Sequence, residues 1–551
     1  MRAPRLQKIE RALLAGLIAI PLVITPNLTI DAINLGKFTL LFLLGSITVF
    51  FSLTHLRQKV IPKELVALGA LLALGLFLPL LLSGSNLDQQ MFGVWGRNIG
   101  LFTQLSCFFV FIWAISISQR NQTNQALIYF VLVATASLSY GLAQSFGWDF
   151  VPWSPPQVFG TLGNTNFYGA HTAIIFSIAL GYTLMTKLSA RQLMFTAIIL
   201  MVSLYLTIKT GAFQGLVIIG ISGAIAIHIF LRRSGPKIIS HFFLILVLST
   251  GVFGSLGIFG FGPLASLLSD DITTLRYRYY FWQAAINMFI NSPIYGVGLD
   301  SYGDWYRYSR SDAAYFGGDV GETSDSAHNL LLDYGATGGI FLFLFGLLFL
   351  VVVIRSVYRV LYKRTECSNR NCSAPYALGF TGFFIQALIS PLNIGLLVWG
   401  FLLAGLIVGG EISLKDKVQN KTLQKSIMVN HKIRVAFTTL ILSVSVLAAA
   451  PAFKEFRILA AQKSQNIEDF TNAIVAFPQS SNTYRNGIIT LERSGYYELA
   501  DTIATSAVEE FPRDYLLIRQ VSTLKTIDSN RKKALILQLE EIDPPRLTTK
   551  S

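Results

Sequence analysis

The sequence predicts an all-α, polytopic membrane protein with a large polar loop on one face and a small helical domain at its C-terminal end. Three observations carry that expectation. The chain is 52% hydrophobic and only 13% charged, with a mean hydropathy of +0.54, whereas a soluble domain carries about 25% charged residues. Apolar runs close to the ~20 residues that a bilayer demands recur from Leu13 onward. Between two of them, the stretch from Asp270 to Ile340 is long, polar and ionisable.

The apolar runs centre near residues 20, 46, 74, 109, 134, 174, 198, 221, 249, 343, 383, 402 and 442, about 13 spans if each crosses once. The first, Ala12 to Ile24, follows basic residues but lacks a small-residue cleavage site, so it reads as a retained helix and not a removed leader. Arg2, Arg5, Lys8 and Arg11 put the start of the chain in the cytoplasm. Every second loop is then basic: Arg57/Lys59/Lys63, the weaker loop at Arg120, Lys187/Arg191, Arg232/Arg233/Lys237, Arg355/Arg359/Lys363/Arg364 and Lys415 through Arg434. This alternation accounts for the net charge of +14, 44 Lys and Arg against 30 Asp and Glu, with no nucleic acid as partner.

The same alternation places the polar loop and the C-terminal tail on the outer face. The outer loops 86–97 and 147–159 are rich in Trp, Tyr, Phe and Pro. Such side chains sit at headgroup level, and they also stack on sugars; Trp305 and its tyrosine neighbours are the best placed for sugar. Of the three cysteines, Cys107 lies in a span, and Cys367 and Cys372 lie in a cytoplasmic loop where thiols stay reduced. Two cysteines without partner ligands make no metal site.

The domain reading follows. Residues 1–410 form the transmembrane domain, with its outer loop at about 262–332. Residues 411–433 are a basic cytoplasmic linker, 434–450 the final transmembrane helix and 451–551 an extracytoplasmic tail. The tail has two "A…FP" helix ends about 34 residues apart with a Gly-Tyr turn between them, the pattern of a tetratricopeptide-type helix pair. One and a half repeats are too few to stand alone, so the tail is expected to pack on the membrane domain or on another chain. The terminal PPRLTTKS is expected to be disordered.

Charged side chains in or beside spans are costly, so each is a candidate for function. On the outer side these are Arg97, Lys209, Arg276, Arg278 and His328; His171 lies inside a span. Asp270, Asp271 and Thr273 supply capping chemistry for a helix that ends before Pro293. On it Arg278, Trp282, Ala285 and Phe289 share one face, and Arg276, Tyr280, Gln283 and Asn287 another. Arginine offers a planar five-donor fork suited to phosphate oxygens, or it snorkels to headgroups. Lys209, in the short turn LTIKTGAFQG, reads as a snorkelling anchor or a phosphate partner, the anchor being the plainer reading. His328 follows Ser326, a residue able to cap the helix that begins there. A first-turn histidine feels the positive end of the helix dipole, which keeps it neutral and competent as a general base. The plain alternative is a loop histidine with a satisfied hydrogen bond. His171 reads as a buried structural or interhelical hydrogen-bonding residue. The loop carboxylates Asp300, Asp304, Asp312, Asp319, Glu322 and Asp325 form no compact pair. No metal or other cofactor is expected, and cations would have to hold a leaving group instead.

The segment RYYFWQAAINMFINSPIYGVG, followed one loop later by AHNLLLDYGATGGI, resembles the O-antigen ligase/O-antigen polymerase superfamily. Its members carry an arginine four residues before an aromatic, a P-x-x-G-x-G turn, and A-H-N before the next span. GRNIGLFTQL at Gly96, FGTLGNTNFYGA at Phe159 and KTGAFQG at Lys209 agree, so the resemblance covers about residues 10–410. It implies about a dozen helices, a large periplasmic loop, a place in the bacterial inner membrane, and no metal or nucleotide. It implies transfer of a glycan from a polyprenyl (undecaprenyl) pyrophosphate carrier to an acceptor hydroxyl on a glycan, lipid or protein. By position Arg278 corresponds to the arginine that holds the pyrophosphate, with Lys209, Arg276 and Arg97 as further cations, and His328 to the base. Lys209 stands where many members have the arginine of a Ser-Arg-Gly-Ala turn; it keeps the charge and loses the fork. Ala336 and Thr337 stand where relatives often carry Glu-Gly. The competing readings are an O-linked protein oligosaccharyltransferase of the same superfamily, an inorganic-carbon-type transporter and a non-catalytic scaffold. Against the transporter, no internal repeat is visible and the polar groups gather outside the membrane midplane.

Overall fold

A computed structural model describes the backbone of residues 4–546 except 57–61, 121, 152, 154–156, 186–187, 259–272, 318–322, 364–372, 420–435, 437–438 and 442. The described regular structure is entirely helical. Ten helices precede the large loop: α1 (Pro4–Ala19), α2 (Leu35–Leu56), α3 (Lys63–Leu82), α4 (Leu87–Phe92), α5 (Leu101–Gln119), α6 (Thr123–Ser145), α7 (Thr165–Met185), α8 (Ala190–Lys209), α9 (Phe213–Ser234) and α10 (Lys237–Ile258). The loop contains α11 (Thr273–Asn291), α12 (Tyr302–Ser309) and α13 (Asp312–Gly317). Then come α14 (Leu330–Tyr358), α15 (Ala374–Ile389) and α16 (Ile394–Gln419).

Nine described helices are long and apolar enough to cross a membrane. The remaining expected centres, near 20, 174, 249 and 383, fall on or next to α1, α7, α10 and α15. These helices are shorter or less uniformly apolar, yet pack in the same bundle. The axis of the bundle is α16, whose apolar window is 94% buried. It lies against α5 along Gly405 and Gly409, where an added Cβ would sit 2.4 Å from the carbonyl oxygens of Phe111 and Ile115. The glycines are what lets the two backbones touch. On the side expected to be cytoplasmic, Arg120 pairs with Glu10 at 2.7 Å and Arg359 with Glu411.

The last apolar stretch does not end at residue 450. It continues through α17 (Ala450–Ser464), whose Glu455 accepts from the backbone N–H of Asp31 (2.9 Å) and from Trp95 Nε1 (2.6 Å) in the loops after α1 and α4. Beyond it lie α18 (Ile467–Val475), α19 (Ser481–Arg493), α20 (Tyr497–Glu510), α21 (Tyr515–Val521) and α22 (Ser529–Ile542). This tail has its own core, built on Phe470, Tyr484, Ile488, Ile503 and Leu517. Of the two packings expected for it, the tail adopts the one against the membrane domain. Asp543 accepts from Arg307 (2.9 Å) and Arg310 (2.7 Å) of the large loop. The guanidinium of Arg513 lies 3.7 Å from the centre of the Trp305 ring, so the tail takes a face of the side chain expected to stack on sugar.

Candidate active site

The large loop is anchored where α14 breaks. At Gly339 the backbone turns left-handed (φ 65°, ψ −160°). An added Cβ there would lie 2.3 Å from the Ile294 carbonyl oxygen. The break frees carbonyls that an unbroken helix would use internally. Those of Ala336 and Thr337 accept instead from Val297 (2.8 Å) and Gly298 (3.2 Å), while Ile340 donates to Pro293 (2.7 Å). The P-x-x-G-x-G turn therefore docks on α14 through main-chain bonds. Ala336 and Thr337 act here through their main-chain carbonyls.

This docking lays α11 across α14, with Phe281, Ala284, Ala285 and Met288 buried between them. Tyr277, Arg278 and Phe281 on the same helix line a cavity of about 280 Å³ together with Asn164, Asn166 and Phe167 from the start of α7, His328, Ser390 and Pro391. The helix thus turns Arg278 and Phe281, three apart, toward the site; of the face expected from four-residue spacing, Trp282 is not among the lining residues.

His328 is set by its neighbours. Its backbone N–H donates to Ser326 Oγ (3.0 Å), and its Nδ1 lies 3.1 Å from the Ser326 carbonyl oxygen. A carbonyl only accepts, so Nδ1 carries the proton and Nε2 keeps its lone pair. Phe281 stacks on the imidazole, ring centres 5.1 Å apart. Asn329, not Ser326, caps α14, accepting from Leu331 (3.1 Å) and Leu332 (3.2 Å). His328 stands before the cap in a left-handed conformation (φ 55°), outside the first turn. Burial, more than any dipole, keeps the ring neutral. It lowers the His328 pKa to about 4, and the positive charges of Arg278 and Arg97 act in the same direction against the bond to Ser326.

Sequence reasoning missed Asp333. Its carboxylate accepts from Ser326 Oγ and from the Ala327 N–H, both at 2.7 Å, and so holds the Ser-Ala-His turn from below. The signal was present: a lone carboxylate inside LLLDYGATGGI, where burying a charge demands a reason. Asn164 and Asn166, polar lining residues from a segment noted only for its resemblance, were also not singled out.

The other predicted cations are placed differently. Arg97 does not line the cavity. It pairs with Asp300 at 3.2 Å and donates to the Asp325 carbonyl, and Asp300 in turn accepts from the Val94 N–H (2.7 Å). This makes Arg97 a brace between the loop after α4 and the large loop. Lys209 is exposed at the end of α8, with its ammonium 5.7 Å from the Tyr205 ring centre. Its turn leads to Gln214, which donates to the carbonyl of Asn166 (2.5 Å) at the cavity wall. The Arg276 side chain and the capping residues Asp270 and Asp271 lie outside what the structure describes. His171 is buried against Trp399 (ring centres 4.6 Å apart), and neither ring nitrogen has a hydrogen-bond partner among the described residues. Its role is packing. No cluster of three or more His, Cys, Asp or Glu with metal-ligand geometry occurs among the described residues.

The arrangement brings one guanidinium and one imidazole lone pair to the same small cavity at one end of the bundle. That pairing suits gripping an anion and taking a proton beside it. Residues 195–351 match the family model described as O-antigen ligase, a stretch from α8 through the large loop into α14 that contains Lys209, Arg278 and His328. No curated protein matches the chain. At a coarse level the match supports a membrane glycan ligase with a lipid-linked glycan and an acceptor as substrates. Residues 195–351 thus carry a match that supports a place for the chain in the O-antigen ligase superfamily.

Proposed function

We propose that the protein transfers a glycan from a polyprenyl pyrophosphate carrier to an acceptor hydroxyl, on the periplasmic side of the bacterial cytoplasmic membrane. The observation that carries this reading is the cavity shared by Arg278 and His328. Arg278 grips the pyrophosphate through its planar fork. His328 Nε2 takes the proton of the acceptor hydroxyl as the acceptor oxygen bonds to the anomeric carbon. The bond from that carbon to the pyrophosphate oxygen breaks, and the charge that develops there is held by Arg278. With His328 as the base, the displacement is a single step that inverts the anomeric centre. Asn164 and Asn166 supply neutral amides for the remaining oxygens.

The test is transfer in proteoliposomes with polyprenyl-pyrophosphate glycan as donor and lipid A core, glycan chain or serine/threonine peptide as separate acceptors. His328→Ala is expected to lower the rate by about 10²–10⁴, the usual worth of a positioned base. Arg278→Ala is expected to abolish transfer while the protein still folds. Unchanged rates in both variants would refute the site. Which acceptor is consumed separates a polysaccharide ligase from a protein oligosaccharyltransferase.

A further inference from the structure

A polar crevice lies between the tail and the membrane domain, apart from the transfer cavity. Two adjoining cavities of about 220 and 410 Å³ share Asp304, Gln479, Phe511 and Asp514 in their walls, and each borders the other. The membrane domain supplies Trp95, Asp304, Trp305 and Asp325 to its walls, and the tail supplies Asn482, Arg485 and Arg513. The walls are fixed relative to each other by the Arg307–Asp543–Arg310 clamp and by a backbone N–H of Gln479 donating to Asp88 (2.6 Å).

Arg485 and Arg513 bring guanidinium groups, which only donate, to the walls. Asp88, Asp325, Glu509, Glu510 and Asp514 bring carboxylates, which only accept. A phosphate is repelled by the carboxylates, and a cationic peptide by the guanidiniums. Hydroxyl groups donate and accept, and so answer both. Trp95 adds an aromatic side chain to the wall, and the crevice comes close to the transfer site. Thr323 and Asp325 line it, and His328, three residues past Asp325, is at most about 10 Å further along the chain.

We propose that this crevice binds an uncharged, hydroxyl-rich oligosaccharide, the acceptor chain, and leads its end to His328, so that the tail is half of the acceptor site. The proposal rests on the transfer reading above. It is tested with the full-length protein carrying His328→Ala, in native membranes, with the photo-crosslinker p-benzoyl-L-phenylalanine at Asn482 or, as control, at exposed Lys533. Position 482 is expected to give an adduct that periodate degrades, and position 533 none. Arg485→Gln and Arg513→Gln are each expected to lower its yield about tenfold, the worth of one charge-assisted hydrogen bond. Either variant suffices if the other fails to reach the membrane. A peptide adduct at 482, no adduct, or a yield indifferent to both arginines overturns the proposal. Because the crosslink is made without the base, it stands or falls separately from the transfer reading: transfer that survives His328→Ala refutes the base, and loss of the adduct refutes the crevice.

Discussion

Asp333→Asn separates the positioning of the base from its chemistry. The carboxylate holds Ser326 Oγ and the Ala327 N–H at 2.7 Å each, and Ser326 in turn receives the His328 backbone N–H and accepts from Nδ1 through its carbonyl. Asparagine keeps one acceptor oxygen and turns the other into a donor. Its oxygen can still meet the Ala327 N–H. The amide group then faces Ser326 Oγ, which already accepts from His328 and must turn its own proton elsewhere. A hydrogen bond to a charged group contributes about 1.5–3 kcal/mol and a neutral one about 0.5–1.5, so the pair weakens by about 1–3 kcal/mol in all. Expressed as misplacement of the imidazole in the transition state, that is a roughly 10- to 100-fold fall in kcat. Donor KM is expected to stay put, because Arg278 is untouched. The assay is steady-state transfer at saturating acceptor, with thermal unfolding measured alongside. Wild-type kcat, or a change confined to KM, would refute the role given to Asp333.

The pH dependence of kcat/KM follows from the environment of His328. Burial and the neighbouring arginines bring its pKa down to about 4 and the neutral form is the base, so the acid limb is expected near pH 4 instead of the ordinary ~6.5, with activity rising as pH rises through it. Gly339→Ala is expected to lower stability by roughly 2–4 kcal/mol, read as a drop in Tm, because a side chain is strained at that φ and its Cβ would meet the Ile294 carbonyl. Asp304 is buried beside Asp514, and its carboxyl is pushed up to about 7. Above that value the folded protein carries the full penalty of the charge, and the penalty fades as pH falls toward the ordinary ~3.8. Asp304→Asn is therefore expected to raise Tm more at pH 8 than at pH 5; an equal gain at both would refute the assignment.

The helices were legible because a bilayer imposes length and apolarity on each one, and every expected centre falls on or beside a described helix or candidate span. His328 and Arg278 were legible as costly groups at the outer edge. What escaped was tertiary. Both Ser326 and Asn329 are capping residues, and only the left-handed backbone at His328 decides between them. Arg97 reads as a free outer cation until Asp300, about two hundred residues away, turns out to be its partner. Asp333 was hidden by the apolar run around it. Helical spacing placed Trp282 on the face of Arg278, whereas the cavity is lined by Arg278 together with Phe281, three residues further on. The tail's helix pairs were readable from their spacing, and its docking rests on single ion pairs such as Arg310–Asp543 that no periodicity announces.

The most direct measurement is a structure of the full chain in lipid with a polyprenyl pyrophosphate bound. Diphosphate density is expected within about 2.7–2.9 Å of the Arg278 guanidinium, with His328 Nε2 facing the sugar end of the same molecule. Diphosphate bound elsewhere in the bundle, or at Arg278 with the imidazole turned away and out of reach, would contradict the joint role of these two side chains.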